Sequence, residues 1–131
     1  MSGAESSSGA GTVLWHDLTA RDADRLRGFY EQVVGWRASP VDMGGYQDFN
    51  MTAPGMSAPV AGICHARGTN ADLPPQWLMY VVVESVERAA AECGRLGGRV
   101  LSGPRAMSGG RLCVIEDPAG AVCALFEPPA P

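Results

Sequence analysis

A pattern that recurs along the chain constrains its fold more than any other feature. Setting Asp22 over Ser85, an offset of 63 residues, lays two amphipathic helix patterns on each other: Leu26 falls on Ala89, Tyr30 on Cys93 and Val33 on Leu96. Each pattern opens on a residue suited to capping a helix N-terminus, Asp22 or Ser85, and stops at glycine, Gly35 or Gly97-Gly98. A strand-like run precedes each one, Val13 to Ala20 and Trp77 to Val83. Three more follow each: Arg37 to Asp42, Tyr46 to Met51 and Val60 to Ala66, then Arg99 to Leu101, Arg111 to Glu116 and Val122 to Phe126. The expected class is α+β, with two tandem β-α-β-β-β modules, residues 12–66 and 77–128, joined by a linker over 67–76. Residues 1–11, rich in Gly, Ser and Ala, are expected to be a disordered tail, and 129–131 a short one. One helix covers one face of each four-stranded sheet, so the other faces are expected to curve around a shared cavity where a small organic ligand fits.

Composition narrows the function classes. The chain has 131 residues, 46% hydrophobic and 18% charged, which is ordinary globular usage for one domain. Its net charge of −4, with no basic stripe, gives no footing for nucleic acid. No apolar run is long enough for a membrane span, and the first residues lack the features of a secretory signal, so the expectation is a cytoplasmic protein with no membrane partner. The cysteines Cys64, Cys93, Cys113 and Cys123 lack metal-knuckle spacing and read as reduced thiols in apolar surroundings. No Gly-x-Ser-x-Gly motif is present.

Several segments carry the resemblance to a known family. These are Arg21 to Trp36, which ends Phe-Tyr-x-x-Val-x-Gly-Trp, the Leu-Gly-Gly that closes the second helix pattern, and Gly103 to Pro128, with its Asp-Pro-x-Gly turn at Asp117. Together with the element order they resemble the vicinal oxygen chelate superfamily over residues 12 to 127, which groups glyoxalases, bleomycin-resistance proteins and extradiol dioxygenases. The opening Trp-His-Asp-Leu-Thr-Ala-Arg-Asp and Pro-Pro-Gln-Trp-Leu-Met-Tyr resemble its glyoxalase-like branch. The resemblance implies a homodimer. It also implies a divalent metal held by side chains seven residues before each helix cap, seven after the Asp of Asp-Pro-x-Gly, and in the strand after Pro59. Those positions carry Trp15, Leu78, Ala124 and Gly62 to Cys64, which lack the usual His and Glu ligands.

The expected function is therefore binding of a small organic ligand without metal or other cofactor, in a resistance-like sequestration role or with acid–base chemistry; whether it is an enzyme is left open. The alternative is a metal-dependent lyase, isomerase or dioxygenase with displaced ligands, for which His16, His65 and Glu127 are the candidates. His16 shares a strand face with Leu14 and Leu18, which turns it toward the helix. Asp17, Asp48 and His65 are the acid–base candidates. Trp15 and Thr19 share the face of Asp17, Tyr46 and Asn50 that of Asp48; with Tyr80 from the second module and Arg67 from the loop they are the ligand-contact candidates.

Overall fold

A computed structural model describes residues 9–131. The chain forms two compact units, one of residues Trp15–Trp77 and one of Leu78–Pro131 together with residues 9–14. The elements run β1 (Val13–Ala20), α1 (Ala23–Val33), β2 (Arg37–Asp42), β3 (Gln47–Thr52), β4 (Pro59–His65), β5 (Trp77–Val82), α2 (Val86–Arg95), β6 (Arg99–Met107), β7 (Gly110–Glu116) and β8 (Val122–Glu127). A single 3-10 turn, Gly68–Asn70, lies in the connection between β4 and β5. The mixed α+β class and the repeated element order agree with the sequence reading.

In the first unit the strand order is β2-β3-β4-β1, with β1 and β4 parallel and the other pairs antiparallel. Helix α1 lies on one face. Ala23, Phe49, Met51 and Ile63 form the buried centre there, and Leu26, Tyr30, Trp36, Ala38 and Trp77 close around it. The indole N–H of Trp77 donates to the Tyr30 hydroxyl at 3.0 Å, which satisfies both polar tips inside an otherwise apolar cluster. Gly35 takes a left-handed φ of 84° directly after the helix, as a glycine stop requires. Asp22 does not cap: its side chain makes no hydrogen bond to the first turn of α1, contrary to the expectation. Its own backbone sits at φ −108° and ψ 55°, outside the extended conformation that aims a capping side chain at the helix amides.

The second unit repeats the order as β5-β8-β7-β6, with β5 and β8 parallel. Its buried centre is Val86, Cys113 and Leu125. Here the cap forms as expected, Ser85 Oγ accepting from the Arg88 amide at 3.1 Å. Strand β6 runs past the expected end at Leu101 to Met107, carrying Gly103 and Pro104 inside it. It pairs only with β7 and shifts register at Val100/Ser102 and again at Ser102/Arg105, so an edge strand absorbs the proline that reads as a break. Of the expected N-terminal tail, residues 1–8 lie outside the described residues. Residues 9–11 are tied down: the Gly11 amide donates to the Val82 carbonyl at 2.7 Å, and the Val82 amide to that of Thr12 at 2.8 Å. No helix of the described residues is long and apolar enough to cross a membrane.

Candidate functional site

Strand partners share a sheet face, and the register of the first unit sets Asp17 beside Gly62, Gly62 beside Asn50, and Thr19 beside Cys64. Asp48 follows on the same side, since its neighbour Phe49 points to α1. The face away from the helix is thus polar, and yet Asp17, Thr19, Asp48 and Thr52 on it are each less than a tenth exposed. Buried polar groups of this kind are retained only where partners or a ligand satisfy them.

Asp17 is the centre of this face. Its Oδ1 accepts the Trp15 indole N–H at 3.1 Å and its Oδ2 accepts the Cys64 thiol at 3.2 Å. The carboxylate lies directly over Gly62, where any Cβ would collide with Oδ1. Burial pushes the Asp17 carboxyl above its ordinary range; the two hydrogen bonds pull the other way and the charge of Asp48 adds to the rise. Burial also pushes the Cys64 thiol up, reinforced by the negative charges of Asp17 and Asp48, so it is held as a protonated donor. Cys64 therefore departs from the expected apolar setting and ties the two carboxylates together.

His65, at the end of β4, is held at both ring nitrogens. Nδ1 is 3.2 Å from Asp48 Oδ1, and Nε2 is 3.5 Å from Asp24 Oδ2 in the first turn of α1. Asp48 Oδ1 also accepts the His65 backbone N–H at 2.9 Å. Tyr46 stands edge-on to the imidazole at 5.5 Å, and the Arg67 guanidinium lies over the Tyr46 ring at 4.0 Å. A carboxylate, an imidazole and a second carboxylate thus run from the sheet to the helix start.

The first unit brings together Trp15, Asp17, Asp48, His65, Tyr46 and Arg67 from the sequence candidates. Asn50 shares the face through its pairing with Gly62, half-buried. Thr19 lines a cavity of about 630 Å³ at the carboxyl ends of β1 and β4, with Arg21, Asp22 and Asp72. Tyr80 belongs to the second unit. His16 is exposed and lines a hollow with Trp36, Ala61 and Trp77, toward the helix side as expected. Glu127, a metal-ligand candidate of the alternative reading, has a structural role: its Oε1 accepts the Val86 N–H at 3.0 Å and caps α2. The residues missed in the sequence are Cys64, Asp24 and Gly62. Thr19 and Cys64 share the two-residue alternation of their strands, which was the signal available for the thiol.

The divalent metal that the resemblance implies does not fit the residues present. Trp15 offers an N–H already given to Asp17, Gly62 has no side chain, and Leu78 and Ala124 are buried aliphatic residues. Among the described residues no three His, Cys, Asp or Glu side chains gather in a metal-binding cluster.

Known proteins extend these observations. The chain is 29% identical over 126 residues to "Putative glyoxylase CFP32" of Mycobacterium tuberculosis, covering 90% of this chain and 44% of that protein. It is 30% identical over 127 residues to the anthracycline biosynthesis protein DauV of Streptomyces sp. (strain C5), covering 97% of this chain and 45% of that one. The chain thus spans less than half the length of these curated relatives. Among solved structures, a methylmalonyl-CoA epimerase of Streptomyces coelicolor in complex with 2-nitronate-propionyl-CoA superposes with a TM-score of 0.56 at 16% identity, covering 93% of this chain and all of that one. The model of the glyoxalase-like domain matches residues 14–126, and the chain belongs to that family, within the vicinal oxygen chelate superfamily.

Proposed function

We propose that the chain binds a small organic ligand on the helix-free face of its first unit and that Asp17 exchanges a proton with it, with no metal ion taking part. The observation that carries this reading is the buried Asp17 carboxyl, raised by desolvation and pinned by Trp15 and Cys64. A carboxyl held above its ordinary range is a better base than an exposed one and is still able to return the proton. Trp15 supplies a ring for stacking and also fixes one carboxylate oxygen, leaving the geometry of Asp17 set before a ligand arrives. The Asp48–His65–Asp24 array then orients a second proton-transfer group, with Tyr46 and Arg67 packed at its side.

The epimerase that shares the fold was solved with a CoA thioester analogue, so carbon acids activated by a carbonyl are the first class to try here. A thermal-shift panel of such carbonyl compounds, thioesters and planar cationic metabolites should contain at least one ligand that raises the melting temperature. Exchange of its α-proton with deuterated water, followed by NMR, should persist in excess EDTA and slow at least about a hundredfold in Asp17→Asn. A panel with no shift, or equal exchange in the variant, sinks the reading. Stabilisation without exchange leaves binding alone, as sequestration requires. The same reading includes self-association as a homodimer, supported by the size of the relatives and by apolar side chains such as Phe29 and Val33 left more than half exposed on α1.

A further inference from the structure

On the helix side of the first sheet lies a hollow of about 340 Å³ that the proton-transfer reading does not use. Its lining comes from the first unit: His16 on β1, Val60 and Ala61 on β4, Trp36 just after α1 and Trp77 at the start of β5. Ala61 is buried beside Met51 of the neighbouring strand, and its single methyl leaves depth where a longer side chain would fill the space. Trp36 and Trp77 stand at 78° to each other with ring centroids 5.7 Å apart, so an indole edge meets an indole face. The N–H of Trp77 is held by the Tyr30 hydroxyl, and the Tyr30 ring packs on Trp77 at 5.3 Å and on Trp36 at 5.6 Å. This aromatic corner is therefore set before anything binds in it.

Size, charge and polarity select the occupant. The volume lies within the range of small-molecule sites, and a helix of a partner protein, about 10–12 Å across, does not enter it. Among the described lining residues there is no carboxylate and no arginine, so a charged ligand would lose its hydration without gaining a counter-charge. His16 is exposed on a strand face that otherwise carries Leu14 and Leu18, and its imidazole offers a hydrogen bond to a hydroxyl. We infer that the hollow is a second binding site, for an uncharged aromatic molecule of one or two rings that carries a hydroxyl. Its ring packs against Trp36 and Trp77, and its hydroxyl meets His16. A saturated ring of the same size would bury as much surface but has no quadrupole to match the two indoles, so the site favours aromatic over alicyclic ligands.

The inference goes beyond the Asp17 reading and does not depend on it. Its test is titration of the whole ¹⁵N-labelled chain with 2-naphthol and with decahydro-2-naphthol, its saturated counterpart, following the indole N–H signals. 2-Naphthol should move the Trp36 and Trp77 signals saturably and bind at least about tenfold more tightly than the saturated compound. Trp36→Leu should weaken that binding about tenfold, whereas Trp36→Phe, which keeps a ring, should stay within about threefold of the parent. His16 is exposed, so its variants leave the core intact: His16→Ala should weaken 2-naphthol about fivefold, and His16→Gln should restore it. Asp17→Asn should leave the affinity unchanged, and the Trp15 indole signal, bonded to Asp17, reports the proton-transfer site separately. Absence of saturable shifts at Trp36 and Trp77, equal binding of the saturated compound, or equal affinity in His16→Ala overturns the inference.

Discussion

Asp17 is buried with its carboxyl raised, and the consequence for stability has a definite sign. A native pKa above the unfolded value means that the native state holds more protons between the two, so stability is greatest below the ordinary carboxylate range and falls as pH climbs through the shifted value. Asp17→Asn removes that dependence. Urea unfolding from pH 4 to pH 7 should show the variant gaining on the parent as pH rises; a difference that stays flat would mean the carboxyl is not desolvated. Gly62→Ala tests the close approach beneath it. The added methyl meets Asp17 Oδ1 and forces the carboxylate away from Trp15 and Cys64, at a cost of about 1–3 kcal/mol. A cost below ~0.5 kcal/mol would show that the strand yields instead. At this scale the period-two alternation placed Asp17 and Asp48 away from the helix from sequence alone. The thiol of Cys64 reads as apolar in sequence because its neighbours along the strand are apolar, whereas its partner Asp17 is 47 residues away.

The two helices show how alike elements diverge at their ends. Ser85 and Glu127 cap α2 from two sides, one local and one from the last strand, whereas Asp22 caps nothing. Ser85→Ala should cost about 1 kcal/mol and Asp22→Ala within about 0.5 kcal/mol, read by chemical denaturation. Equal losses would show that Asp22 does cap in solution. Residue type made Asp22 and Ser85 equivalent candidates, and only the backbone dihedral separates them. The reach of β6 was illegible for a related reason. Gly103 and Pro104 signal a break in sequence, and an edge position with shifted register is what accommodates them.

For the whole molecule, the donor set predicts metal content well below one ion per chain by elemental analysis after incubation with Ni, Zn, Mn or Fe(II) and desalting. Tight stoichiometric metal would overturn the metal-free reading and point to His16 or His65. Light scattering at tens of micromolar should give the mass of two chains, and a monomer mass would remove the self-association proposal. The repeat, the α+β class and the family are legible in the chain alone, because hydrophobic period, glycine stops and turn residues are local signals that survive without knowledge of contacts. Tertiary structure decided which polar residues meet. Asp17 with Cys64, His65 with Asp48 and Asp24, and Glu127 with the start of α2 are pairs separated by 17 to 47 residues. Their hydrogen bonds and desolvation depend on strand register and helix placement, and the residues alone do not encode either one locally.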